Sequence, residues 1–205
     1  TTSSPYAEKG VVYFASLDSM VYAVDLRAGW AIWRFRMGKG SVSSPCKQGN
    51  SIFIGSADGC MYSIDASNGR EIWKYQTGHQ ISGAPVLSGD MVYFGSVDGF
   101  VYCLNQKNGR LDWKYELGAA VTGSPSISNN VLYIGSSTTL YAYDLNDTLT
   151  YTRLSKNNES FDVLFRKIMA GDSLLSGGTF YSWNGNKKTI QLPQPEHKIP
   201  QIEYK

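Results

Sequence analysis

The chain is poor in most of the residues that would declare a chemistry. Histidine occurs only at His79 and His197 in 205 residues, so a His-rich metal centre cannot be assembled. Three cysteines are present, with neither a Cys-x-x-Cys nor an adjacent pair, and the odd number leaves at least one thiol unpaired within the chain. Neither charge dominates: 19 Lys and Arg against 17 Asp and Glu give a net +2, far from the basic excess of a nucleic-acid binder. Long hydrophobic runs are missing too. No uninterrupted apolar stretch exceeds five residues, as in Val11–Ala15, which is far too short for a membrane-spanning helix. The first residues carry no secretory-leader pattern, which a processed chain would also lack.

What the chain does have is a beat. Pro5, Pro45, Pro85 and Pro125 recur every forty residues, and Trp33, Trp73 and Trp113 keep the same interval. Asp18, Asp58 and Asp98 march with them, as do Gly29, Gly69 and Gly109. From Gly55 to Gly78 and from Gly95 to Gly118 the sequences align without a gap, with 12 of 24 positions identical. Self-similarity at this period marks a repeat architecture, in which each unit leans on its neighbours. Whatever recurs in every unit is then scaffold, and function belongs where the units differ. The cysteines differ: Cys46, Cys60 and Cys103 fall in three unrelated slots and read as small core residues.

Each unit reads as four short strands. In the second, a strand begins at Ser44-Pro45-Cys46-Lys47, with proline at the tolerated first position. Gly49-Asn50 is a turn and Ser51–Ser56 a second strand. Asp58-Gly59 is a strong hairpin signal, because it accepts the positive φ angles of a tight turn. Cys60–Asp65 is the third strand, Asn68-Gly69 a turn, and Glu71–Gln76 the fourth, with Trp73 and Tyr75 on one face. The first unit matches with Ser19 in place of the hairpin glycine, and the fourth matches through Asp144. Asn146 to Val163 is polar and lacks the strand-four tryptophan, so it reads as a loop or an irregular strand. A worn fifth unit follows over Asp172–Gly178 and Phe180–Asn184. Ser160–Met169 is the one helix candidate, with patchy spacing and weak caps.

Four antiparallel strands per unit, arranged radially, make a β-propeller. The expected fold is therefore all-β: a β-propeller of four-stranded antiparallel blades, about five repeats of 40 residues, at roughly 3–42, 43–81, 82–121, 122–160 and 161–192. An extended tail over 193–205 follows. The pattern Ser43-Ser44-Pro45, Gly55-Ser56-Ala57-Asp58-Gly59 and Asp65 through Gly69 to Trp73 resembles the quinoprotein-type (pyrroloquinoline quinone-like) propeller repeat. It is similar to the repeat of the outer-membrane assembly lipoprotein BamB and its family. The resemblance implies that Trp33, Trp73 and Trp113 dock one blade on the next, and it suggests an extracytoplasmic place, periplasmic or at the cell surface. Propellers of that family commonly have more blades. A compact five-bladed ring, a piece of a longer polypeptide and an open arc completed by a partner therefore compete, the first two being preferred. Thr1–Ser4 is too short to supply a closing strand; Ile202-Glu203-Tyr204 is the candidate.

The family's name raises an enzyme reading. Quinoprotein dehydrogenases hold their cofactor against an adjacent-cysteine disulfide, near a calcium bound by clustered oxygen ligands. Neither feature is legible here, so no residue is assigned to catalysis, a cofactor or a metal, and no cofactor is expected. Gly38-Lys39-Gly40 is not a phosphate loop, since no helix follows it. Recognition remains, through loops held by a rigid scaffold. The between-blade loops differ most, at Lys39 in one, His79 and Gln80 in the next, and Ala119 in the third. Arg34 and Arg36 add local positive charge where sister units carry Lys and Gln or Glu. The expected partner is a protein, with a small ligand or carbohydrate as the alternative and no nucleic acid or membrane insertion.

Overall fold

The computed structural model describes residues 3–137, 139–145, 151–153, 173–176 and 179–182, the last three segments by their backbone. The first sheet comprises β1 (Tyr6–Glu8), β2 (Val11–Ala15), β3 (Met20–Asp25) and β4 (Ala31–Arg36) in that order. The second holds β5 (Cys46–Gln48), β6 (Ser51–Gly55), β7 (Cys60–Asp65) and β8 (Glu71–Gln76). The third holds β9 (Val86–Ser88), β10 (Met91–Gly95), β11 (Phe100–Asn105) and β12 (Leu111–Glu116). A fourth follows with β13 (Ser126–Ser128), β14 (Val131–Ser136), β15 (Thr139–Asp144) and β16 (Tyr151–Arg153). The hairpin β17 (Ser173–Ser176) and β18 (Thr179–Ser182) falls in the worn fifth unit. The all-β expectation holds, and every sheet with four strands is an up-and-down meander, as a blade requires. The helix candidate Ser160–Met169 and the tail over 193–205 lie outside the described residues. Within the polar stretch after Leu145, β16 pairs with β15 through Tyr141↔Arg153, so an irregular fourth strand does form there.

The chain divides into two compact units, residues 1–127 with 134–137, and residues 128–133 with 138–205. The first holds the three complete sheets. Each meander is closed at one end by a tight hairpin whose last residue has positive φ: Gly59 at 84°, Gly99 at 91° and, at the same slot, Ser19 at 71°. A side chain in that left-handed region is strained, which explains why the other two units carry glycine.

Strand four of each of these three sheets has the same irregularity. Opposite Ala23/Val24, Ser63/Ile64 and Cys103/Leu104 the register slips by one, so Ile32, Ile72 and Asp112 are extra residues in a bulge. A bulge bends its strand and re-aims the next side chain, here the tryptophan. Trp33 and Trp73 are 8% exposed, and each leaves its own sheet for the next. The Trp33 indole donates to the Ala66 carbonyl at 2.9 Å, and the Trp73 indole to the Gln106 carbonyl at 2.7 Å, 33 residues on in both cases. Gly69 and Gly109, both at positive φ, lie beneath these rings. A Cβ on Gly69 would stand 2.7 Å from Trp33 Cδ2, and one on Gly109 2.6 Å from Trp73 Cδ2. Trp113 is half-buried and touches the rings of Tyr93 and Tyr115 at centroid separations of 5.9 and 4.7 Å.

Around each indole a core forms between neighbouring sheets. Tyr13, Ala15, Val21, Ala23 and Met37 of the first unit meet Ile52, Ile54, Tyr62 and Ile64 of the second. Phe53, Met61 and Ile81 meet Val92, Phe94, Tyr102 and Leu104 in the same way. At the first strands, side chains link equivalent positions forty residues apart. The Ser4 N–H donates to Ser44 Oγ, Ser43 Oγ donates to the Gly83 carbonyl, and the Ala84 N–H donates to Ser124 Oγ, each at 2.9 Å.

One polar group in this core is unmatched. Ser63 is fully buried beside Trp73, and its hydroxyl is the buried side-chain oxygen or nitrogen without a hydrogen bond among the described residues. The first unit carries Ala23 in that slot, so the space accepts a methyl group. Ser63→Ala is expected to raise the unfolding free energy by about 1 kcal/mol, because it removes an unsatisfied buried hydroxyl. A urea midpoint at or below that of the parent would contradict this.

Candidate interaction face

The hairpins at 16–19, 56–59 and 96–99 and the loops that leave strand four lie at one end of the three sheets, because antiparallel meanders put alternate connections at opposite ends. Each loop crosses over the next hairpin and is pinned to it by its backbone. The Ala57 N–H donates to the Gly40 carbonyl and the Val97 N–H to the Gln80 carbonyl, both at 3.0 Å. The Ser41, Ile81 and Val121 N–H groups bond instead to the hairpin of their own sheet, at the carbonyls of Ser16, Ser56 and Ser96. Ser56 Oγ donates to the Lys39 carbonyl and Ser96 Oγ to the His79 carbonyl, at 3.1 Å each. Main-chain groups at these positions are turned inward and satisfied, while the side chains of Lys39 and His79 stand exposed. Gln80 is half-buried. Leu17 and Val42, 63% and 43% exposed, give the same face some apolar surface.

The recurring aspartate does more than close its own hairpin. Asp58 Oδ1 accepts from the Cys60 N–H at 2.8 Å, the local bond expected of a hairpin aspartate. Its Oδ2 accepts from the Tyr62 hydroxyl at 2.6 Å and from the Gly38 N–H of the preceding loop at 2.8 Å. Asp98 repeats the arrangement with Phe100, Tyr102 and Gly78. A carboxylate therefore clamps each loop onto the next sheet. Sequence spacing marks Asp58 and Tyr62 as recurrent but cannot show that the third partner comes from another unit.

Burial disfavours the charge on Asp58, yet hydrogen bonds from Tyr62, Cys60, Ser56 and Gly38 together outweigh it and hold the pKa below the ordinary 3.8. Because the folded pKa is depressed, the contribution is fully present above the unfolded pKa and is lost as pH falls through the folded one. Asp58→Asn is therefore expected to lower stability by about 1–2 kcal/mol at pH 7, with the gap to the parent closing below about pH 4. Urea midpoints across pH 2.5–7 check this as an expected trend, and a pH-independent gap would contradict it.

Arg34 and Arg36 are not loop residues. Both are exposed on β4; Arg36 pairs with Met20 beside the first hairpin, and Arg34 lies 5.7 Å over the Tyr22 ring. Lys39 and Arg36 thus bring positive charge to the first loop, and Arg34 belongs to the broad face of the first sheet. None of the three cysteines is activated. Burial pushes the Cys46 thiol up to about 12 and raises those of Cys60 and Cys103, which keeps them protonated. An open groove of about 340 Å³ between the first two sheets is lined by Tyr13, Ile32 and Asn50, with Lys47 and Glu8 paired to each other at 2.5 Å. Among the described residues no three His, Cys, Asp or Glu side chains gather as a metal site, and no helix is long and apolar enough to cross a membrane.

Meandering four-stranded sheets, joined by strand-four indoles set into the next sheet, define a β-propeller built from pyrroloquinoline quinone-like repeats. Residues 17–196 match the family model of the outer membrane protein assembly factor BamB, and the chain belongs to that family. The crystal structure of BamB from Moraxella catarrhalis is similar at 21% identity and a TM-score of 0.65, over 76% of this chain and 54% of that one. The computationally designed Ika8 protein is similar at 17% identity and a TM-score of 0.62, over 72% of this chain and 48% of its own. The chain thus spans about half the length of these two structures. No curated protein matches it.

Proposed function

We propose that the chain is a non-catalytic propeller segment that acts as a protein-interaction scaffold through the face bearing Lys39, His79 and Gln80, with Arg36 at its margin. The observation that carries this reading is the division of labour in the loops. Backbone groups are held by bonds to the neighbouring hairpin, so side chains at the variable positions project from a fixed frame, which lowers the entropy lost on binding. Membership of the BamB family supports a protein partner in an outer-membrane assembly setting, and with it a periplasmic or surface location.

A photo-crosslinking side chain placed at Lys39 or His79 should give adducts of one discrete mass in envelope preparations. The same probe at Asn68 or Lys107, in turns at the opposite end of the sheets, should give none. Equal labelling from both ends, or from neither, would defeat the proposal. Titration with pyrroloquinoline quinone and calcium separates the oxidoreductase reading: a saturable change in quinone absorbance with a rise in Tm would replace the scaffold assignment.

A further inference from the structure

The two joints between complete sheets are closed differently at the end away from the hairpins. Between the second and third sheets, the Gln106 side chain fills the gap. Its amide nitrogen donates to Gln48 Oε1 and the Gly89 carbonyl, at 3.3 Å each, and to the Met91 carbonyl at 2.9 Å. Forty residues earlier the same slot holds Ala66, which lines the open groove of about 340 Å³ between the first and second sheets. Two of the Gln106 bonds are reproduced there by Lys47, at the slot where the third sheet has Leu87. The Lys47 ammonium donates to Glu8, the counterpart of Gln48, and to the Gly49 carbonyl, the counterpart of Gly89. The Lys47 side chain is only 12% exposed, and these two bonds leave one of its three N–H groups unused among the described residues.

A second unmatched group faces it from the first sheet. Tyr13 is 6% exposed and lines the groove, and its hydroxyl makes no hydrogen bond among the described residues. Its counterparts differ. Phe53 carries no hydroxyl, and the Tyr93 phenol has the Cys103 thiol of the paired strand beside it, where Tyr13 has Ala23. Desolvation raises the Tyr13 phenol above its ordinary 10.0, with the Lys47 charge opposing and the Glu8 charge reinforcing. The phenol, the ammonium and the carboxylate therefore act on one another across the groove. Val11 and Ile32 add apolar walls, Ile32 being the bulge residue of β4 and 49% exposed.

We propose that this groove binds the side-chain carboxamide of a glutamine on a partner polypeptide. Its oxygen accepts from Lys47 and Tyr13, its NH₂ donates to the second oxygen of Glu8, and its methylenes lie against Val11 and Ile32. Glu8 and Lys47 cancel as a pair, which favours a neutral dipolar guest over a charged one that must shed its hydration. Gln106 is the template: a polypeptide glutamine whose neutral amide fills the corresponding space one joint further on. The groove lies at the opposite end of the sheets from Lys39 and His79, so the site stands apart from the loop face.

The test titrates the folded chain with N-acetylglutamine methylamide and follows backbone amide signals by NMR. Those of Gly49, Asn50, Ala66 and Ser67 should shift saturably, while Gly89 and Asp90 at the filled joint stay still. The matching methionine and glutamate derivatives, one apolar and one charged, should bind about tenfold more weakly. Tyr13→Phe installs the residue found at Phe53; it should keep the fold and weaken the glutamine probe about tenfold. Ala66→Gln should supply the amide from within the chain, raise the Tm and abolish the shifts. No saturable shift, equal shifts from all three probes, or undiminished binding by folded Ala66→Gln would overturn the assignment. If Ala66→Gln does not fold, Tyr13→Phe decides, and unchanged affinity in that variant overturns it. Binding of free glutamine without binding of the blocked residue would also overturn it, since the guest would then be a small molecule.

Discussion

Trp73→Ala lowers the unfolding free energy by about 3–5 kcal/mol, the range for truncating a buried aromatic side chain with incomplete collapse around the cavity. The indole is 8% exposed, and it fills the space between the second and third sheets beside Phe53, whose ring lies 5.7 Å away. Its N–H is also the partner of the Gln106 carbonyl at 2.7 Å. Trp73→Phe retains much of the apolar volume and strands that carbonyl, so it should lose about 1–3 kcal/mol, less than the alanine variant. Urea unfolding followed by far-ultraviolet circular dichroism measures both. If Trp73→Ala fell within about 1 kcal/mol of the parent, the indole would not be holding the sheets together.

The second large effect is expected at the glycine beneath that ring. Gly109 has φ 68°, and a Cβ there would meet Trp73 Cδ2 at 2.6 Å, a ring with no room to yield. Gly109→Val combines left-handed strain of about 1–2 kcal/mol with overpacking of about 1–3 kcal/mol. Gly29→Val is the control: the same backbone conformation, at φ 76°, in open space. It should cost only the strain, about 1–2 kcal/mol. The difference between the two variants isolates the contact with the indole. Equal losses would show that backbone conformation alone explains both glycines.

Much of this architecture is legible in the sequence because a forty-residue period repeats its instructions. The proline, hairpin glycine and strand-four tryptophan each mark a slot, and the strands fall between them. Periodicity identifies recurrence, however, and not the neighbour that makes a residue recur. Asp58 and Tyr62 are visible as a repeated pair, but the Gly38 N–H that completes their cluster belongs to another unit and is brought there only by folding. The bulge at Ile72 is invisible for a different reason. It arises from a slip between two strands, and strand propensity says nothing about pairing register. β16 lies inside a stretch whose composition argues for a loop; pairing with the edge of β15 forms it without the tryptophan that marks its counterparts. Contrast between units marks Lys39, His79 and Gln80 as variable, whereas the inward turn of their carbonyls leaves no trace in the sequence.

Because the indole projects from one side of a sheet and its receptacle lies on the other, the joint is polar: no two copies can meet through it by a two-fold axis. Exposed ends of this kind add head to tail, a geometry that grows open filaments unless a ring or a cap terminates it.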